Sequence, residues 1–356
     1  MLLILYFLIF NKDPSYRVLD SINISVIFLF FLLLTRVDNC VQKFLPFWTI
    51  VLTFIINLIL IYSVVSNPNY ALGLRATVQF GDQEFTGNPG IYARNGLIGV
   101  TISLLFLFKQ EDKLYQQESI YAFILTLVNL LLSISTIILT QTRMVLLSMI
   151  VILFAFVFLV KKNNGNRFPF NKKYVFLGLI SSMYFINLKY QVIKLLEYYI
   201  NSYWTMFERA IMTGLTLGKT SKTEIDASAM GRVDNINFFY EMMKFEKYNF
   251  IIGSGWRYRY IDIPVLEVFI NFGIIAVILF LVFLILLIYF SLKSFKSTSI
   301  FQNFMGLFNI SVMLGMLSAG RPTDLAYWLI FAIFIRFFGI NEKSEEYPKK
   351  NVDINL

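Results

Sequence analysis

Residues 264–290 read PVLEVFINFGIIAVILFLVFLILLIYF. The run holds a single charged residue, Glu267, and as a helix it is long enough to cross the ~30 Å hydrocarbon core of a bilayer. Reading it as transmembrane decides the class of the whole chain, because the other hydrophobic residues fall in blocks of comparable length. Composition agrees. Hydrophobic residues make up 57% of the chain and charged residues 15%, with a mean hydropathy of +0.67, whereas about 25% of an ordinary soluble protein is charged. The expected fold class is all-α: a polytopic integral membrane bundle of about ten transmembrane helices.

Outward from that run, spans are expected near 1–10, 20–35, 46–65, 91–108, 119–140, 144–160, 174–188, 264–290, 300–319 and 322–338. Residues 1–10 are apolar but lack the basic start and small-residue cleavage site of a signal peptide, so no cleavable leader is expected. Orientation follows from residues 161–173, which carry Lys161, Lys162, Arg167, Lys172 and Lys173 and no acid. The positive-inside rule puts that loop in the cytoplasm. Alternation from it gives both termini inside, including a cytoplasmic tail at 339–356, and leaves residues 189–263 as one large extracytoplasmic loop. The net charge of +9 is thereby read as topology rather than as affinity for nucleic acid. No internal repeat or separate soluble domain is apparent, so residues 1–356 form one polytopic domain.

The segment immediately before the opening run is the polar part of the chain. Residues 189–262 hold 18 of the 53 Lys, Arg, Asp and Glu residues, interleaved with Tyr198, Tyr199, Tyr203, Trp204, Phe238, Phe239, Tyr240, Trp256, Tyr258 and Tyr260. Within 191–212 apolar residues recur at three and four, and within 233–245 they do so again, which predicts two amphipathic helices. Gly253-Ser-Gly255 is expected to break the second. A patterned loop of this length in a membrane protein is usually functional.

Histidine is absent and Cys40 is the single cysteine, so neither an internal disulfide nor a thiolate zinc site is expected. No metal or cofactor is expected either. What remains for chemistry is a set of arginines on the outer side. Arg143 lies in Thr140-Gln-Thr-Arg143, between two spans with hardly any loop. A charge at that depth is costly unless paired or facing a cavity, although an arginine snorkelling to headgroups gives the same pattern. Arg75 and Arg94 flank another outer loop, Arg232, Arg257 and Arg259 lie on the large loop, and Arg321 ends the ninth span. Converging arginines suit an anionic ligand, since the guanidinium grips phosphate with two parallel bonds and keeps its charge. Scattered surface arginines are the plainer alternative.

The acidic candidates are Asp262 and Glu267. Asp262 stands just ahead of Pro264, where an acid caps a helix. Glu267 is one turn in, with Asn271 four residues on along the same face. A carboxylate buried there needs an arginine partner or a raised pKa, and either acid is placed to take a proton from a hydroxyl. Asp324 is a further acid, or simply an ion-pair partner for Arg321.

Three features together resemble the O-antigen polymerase and O-antigen ligase superfamily. They are Thr140-Gln-Thr-Arg143 opening a span, Gly231-Arg232 followed by a helix and Ile252-Gly253-Ser-Gly255-Trp256, and a next span running from Asp262 to Asn271-Phe-Gly273-Ile-Ile. The resemblance covers the layout from about residue 91 onward. Two departures stand out: a shorter N-terminal part, and no histidine where ligases of the superfamily place one between the loop and the next span. The resemblance therefore implies a polysaccharide polymerase of the bacterial cytoplasmic membrane, making O-antigen, capsule or exopolysaccharide. Its donor would be a glycan on undecaprenyl diphosphate, with membrane lipids and a chain-length regulator as further partners. It also implies that Arg143 and Arg232 bind the diphosphate, with Arg257, Arg259, Arg321 and Arg94 beside them and Glu267 or Asp262 as base. An O-antigen ligase is one alternative. A flippase or permease is another, although transporters carry repeats and mid-membrane charge.

Overall fold

The computed structural model of the chain describes residues 17–67, 70, 74–79, 88–108, 120–156, 191–215, 227–245, 249–256, 258–261, 263–297, 299–316 and 320–338. Among them every regular element is helical. The first group is α1 (Arg17–Leu34), α2 (Val41–Ser66), α3 (Pro89–Phe108), α4 (Ile120–Thr140) and α5 (Arg143–Ala155). The polar segment supplies α6 (Gln191–Leu215), α7 (Ala227–Phe245) and the single turn α8 (Asn249–Ile252). Last come α9 (Pro264–Ser294), α10 (Ile300–Met316) and α11 (Leu325–Phe337). The spans expected at 1–10 and 174–188, the basic loop at 161–173 and the tail at 339–356 lie outside the described residues, as do Arg257 and Asp262.

Four helices are long and apolar enough to cross a membrane: Val41–Ser66, Pro89–Leu107, Tyr121–Thr140 and Pro264–Ser294. The apolar helices Val18–Leu34, Arg143–Ala155, Ile300–Met316 and Leu325–Phe337 are shorter. The expected number of about ten thus contains four of full spanning length, four shorter helices and two segments that are not described. Along α9 the side chains of Ile275, Ile278, Leu279, Val282, Ile285 and Leu286 are exposed. About half to two-thirds exposed, each would forgo on the order of 1–2 kcal/mol by standing in water, so a lipid environment is the one that suits this face.

α10 is the hub. Nearly all of its residues are buried, and it packs against α2, α3, α5, α9 and α11. A helix covered on every side belongs inside a bundle, and α10 carries Gln302, Asn303 and Asn309 into that interior. α2, α3 and α4 form a second, tightly packed group. There Gly99 of α3 is pressed against the Ser133 side chain of α4, the small-residue contact that lets membrane helices approach. Around it the buried side chains are tied to one another: Asn57 Nδ2 donates to Ser133 Oγ (2.8 Å), Asn95 Nδ2 to Asn57 Oδ1 (2.9 Å) and Asn129 Nδ2 to Ser103 Oγ (3.0 Å). These groups are uncharged and satisfy each other, so they act as adhesive between helices rather than as an ion path. At the opposite end of the bundle from the polar segment, Arg336 of α11 donates to the carbonyls of Leu34 and Val37 at the end of α1 (3.0 and 2.9 Å).

The polar segment is more helical than its periodicity implied. α7 starts at Ala227 rather than at 233, because its first two turns carry no apolar stripe for a period count to find. It also ends at Phe245, and Gly253 stops the extra turn α8 instead. α9 bends at Gly273, whose φ is 76°. The 274–294 portion alone is about 31 Å long, enough for the ~30 Å core. Residues 264–272, with Glu267, are not needed for the crossing.

Candidate functional site

The bend in α9 and the loop after α8 are built on each other. Gly253 and Gly273 both have positive φ, 82° and 76°. A Cβ on Gly253 would overlap the Asn271 carbonyl, and one on Gly273 would overlap the backbone of Ile251. No side chain fits at either position, so the two backbones lie in direct contact. Ser254 N–H donates to the Ile270 carbonyl (2.6 Å) and Gly255 N–H to that of Asn271 (3.2 Å). Backbone that leaves the helical pattern near a membrane must find such partners, because lipid offers none.

Side chains continue the seam. Asn271 Oδ1 accepts from Tyr258 N–H (3.3 Å) and Glu267 Oε2 from Ile261 N–H (3.3 Å). Glu267 and Asn271, four residues apart on one helix face, therefore hold the returning loop as a rail. Trp256 is anchored from the other side, its indole N–H donating to Asp20 Oδ2 on α1 (2.9 Å). The effect is to fix residues 253–261 over the first turns of α9.

Glu267 is buried, 2% exposed, and lies 3.9 Å from the guanidinium of Arg321, whose side chain is 23% exposed. An arginine partner is one of the two arrangements the sequence left open for this carboxylate. Arg321 also rests over the Tyr260 ring, 4.7 Å from its centroid. Asp324 does something different from the expected ion pair: its Oδ2 accepts from the Arg321 backbone N–H (2.9 Å), pinning the turn after α10. The guanidinium lies between a buried carboxylate and an aromatic face, with its Nη1 buried.

Other arginines gather at this end of the bundle. Arg94 lies over the ring of Tyr327, 5.6 Å from its centroid, with Nη2 3.5 Å from the phenol oxygen. Tyr327 in turn packs on Gly320, next to Arg321. Arg259 lies over Phe238 at 3.9 Å, and Phe238 stacks on Tyr258. Arg232 is six residues before Phe238 on α7, about 9 Å along the helix. Arg143 is the first residue of α5, and Val145 shares an apolar cluster with Ala93, the neighbour of Arg94, and Ile137. A cation at a helix N-terminus, where the dipole is already positive, is favourable when an anion is close by.

The polar segment reaches this end as well. Tyr203 of α6 donates to the carbonyls of Ile137 and Ile138 at the end of α4 (3.2 and 3.0 Å). Ala76 N–H donates to the Leu139 carbonyl (3.0 Å), laying residues 74–79 along the same helix end. Burial pushes the Tyr203 phenol up from its ordinary value, against a smaller opposing pull from Arg75. Tyr70 is raised by burial too, with the neighbouring Tyr199 phenol adding to it. α6 leaves Ile200, Trp204, Ile211 and Met212 exposed, the pattern of a helix that lies along a membrane surface.

Of the expected site residues, the structure links Glu267, Arg321, Arg259 and Arg94 through shared contacts, and the packing of α5 against α3 and α10 sets Arg143 at their end. Sequence reasoning missed Tyr327, Asp20 and the conformation of Gln141. Asp20 had one available signal, a lone acid inside an apolar run; Tyr327 had none. No protein-family model and no curated protein matches the chain.

Proposed function

We propose that the chain is a bacterial polysaccharide polymerase, joining oligosaccharide repeat units carried on undecaprenyl diphosphate at the outer face of the cytoplasmic membrane. The observation that supports this most is the Arg321 guanidinium, its side chain 23% exposed, set between buried Glu267 and Tyr260 at the end of an apolar bundle where further arginines collect. In the reaction an acceptor hydroxyl oxygen bonds to the anomeric carbon of the donor glycan. The bond from that carbon to the lipid diphosphate breaks, and the diphosphate leaves with the electron pair. Charge grows on the leaving group, and fixed guanidinium groups stabilise it without reorganising. Arg143 and Arg232 are assigned to the diphosphate, with Arg321, Arg259, Arg257 and Arg94 around it. The hydroxyl proton passes to a carboxylate, Glu267 or Asp262. Glu267 also positions Arg321, so its two roles need separate tests. The prenyl chain lies along the apolar face of the helices, O-antigen, capsule and exopolysaccharide being equivalent in this chemistry, and a chain-length regulator is the expected protein partner.

The test is the glycan ladder of cells that lack the chain. Single repeat units at the surface support polymerisation. Full polymer that stays on the lipid carrier identifies a ligase, and repeat units trapped in the cytoplasm identify a flippase.

A further inference from the structure

Gln141, in the turn between α4 and α5, carries two unfavourable features together. It has φ 48°, the left-handed region, alone among the described non-glycine residues. Its side chain is 1% exposed, and neither amide atom has a hydrogen-bond partner among the described residues. A turn with only a structural duty is better served by glycine, which adopts that φ freely and buries no amide. Two more orphans flank the same place. Thr136 Oγ1, one turn back on α4, and Thr77 Oγ1, next to the Ala76–Leu139 hydrogen bond, are buried without partners. Buried polar atoms are nearly always satisfied, and three residues left unsatisfied around one helix end mark a place where a ligand supplies the partners.

The neighbour identifies the ligand. Arg143 is two residues on, at the N-terminus of α5, where the reading above puts the diphosphate. The group next to a diphosphate in such a donor is a sugar ring. A primary amide offers one acceptor and two donors, and a hydroxyl donates and accepts, so adjacent ring hydroxyls match what Gln141, Thr136 and Thr77 lack. We propose that Gln141 binds the hydroxyls of the sugar attached to the diphosphate and, with Thr136 and Thr77, reads that sugar. The inference rests on the polymerase reading and adds to it the residue that recognises the first sugar.

Gln141→Gly is the informative variant, since it relieves the backbone and removes the orphan amide together. The full-length protein in detergent micelles is titrated with two probes: bare undecaprenyl diphosphate, and the lipid-linked repeat unit extracted from cells lacking the protein. We expect Gln141→Gly to unfold at the same temperature or higher, to bind the bare lipid diphosphate as wild type does, and to bind the repeat-unit lipid about tenfold more weakly, as loss of one or two good hydrogen bonds implies. Gln141→Asn, which tolerates the left-handed backbone and keeps an amide, should recover part of that loss. Equal binding of the repeat-unit lipid by Gln141→Gly and wild type overturns the inference while leaving the polymerase reading in place, with the amide then satisfied by buried water. Failure of wild type to bind either lipid overturns both.

Discussion

The Arg321 guanidinium lies 3.9 Å from the buried carboxylate of Glu267, joining the turn after α10 to the start of α9. Removing one partner of a buried pair leaves an uncompensated charge, typically about 3–5 kcal/mol, and the partial exposure of Arg321 lowers that figure. We expect Arg321→Gln to destabilise the protein and Glu267→Gln to fold normally, because Gln still offers an oxygen to the Ile261 N–H. The double variant should regain stability, with a coupling of about 1–3 kcal/mol in thermal unfolding in detergent. If Glu267→Gln alone abolishes polymer while folded, and the double variant restores stability without activity, the carboxylate is needed for chemistry as well as for holding Arg321. Strictly additive stabilities would show that the pair contributes nothing.

Gly253 and Gly273 meet back to back, each with positive φ and no space for a Cβ. Gly273→Ala would favour a straight α9, and Gly253→Ala would press on the Asn271 carbonyl. Strain of about 1–3 kcal/mol is expected for the backbone alone, with the overlap adding to it. Each variant should accumulate poorly in membranes and melt several degrees lower. Gly231 of α7, where an added Cβ would meet nothing within 4 Å, is the control, and Gly231→Ala should be neutral to stabilising by up to about 1 kcal/mol. Wild-type melting of Gly273→Ala would mean that the bend is dispensable.

Arg143→Ala and Arg232→Ala are expected to abolish the glycan ladder while the protein still accumulates in the membrane. Lysine should restore little at either position, since a point charge lacks the two-pronged contact to diphosphate oxygens. Near-normal ladders from both alanine variants would leave snorkelling as the role of these arginines.

Tyr203 couples α6 to the end of α4 through its phenol, and burial raises that phenol's pKa above the ordinary value. The contact is therefore fully present below the unfolded pKa of about 10 and weakens as pH rises beyond it toward the raised folded value. Protease sensitivity of residues 191–215 should increase above pH ~10 in wild type. In Tyr203→Phe it should be raised at neutral pH already. A Tyr203→Phe protein as resistant as wild type at neutral pH would show that other contacts hold α6.

The two sides of the membrane can be assigned by cysteine labelling in a Cys40→Ser background. A cysteine in place of Ser221 should react with an impermeant reagent from outside, and one in place of Gly165 should not. The reverse pattern would invert the topology that the basic loop implies.

The solvent of the protein and the kinds of residue available for chemistry are already set by the order of its amino acids. Runs such as 264–290 are too apolar for water, so helices and a bilayer follow from composition and length alone. The 3.6-residue periodicity likewise located α6 and most of α7, and the spacing of Glu267 and Asn271 put them on one helix face. That Glu267 would either find an arginine or hold a raised pKa was legible too, because a lone buried charge is too costly to leave. Which arginine answered was not. Arg321 is remote in sequence, and only the packing of α9 against α10 brings the two together. Tertiary structure also decided what Gly273 is for: the sequence shows a glycine in an apolar helix, whereas the bend exists because Gly253 must reach the same backbone. The unsatisfied amide of Gln141 belongs to the same class. Its type and position are plain in the sequence, but burial and left-handed backbone are properties of the folded turn, set by contacts among α3, α4 and α6 that no local pattern encodes.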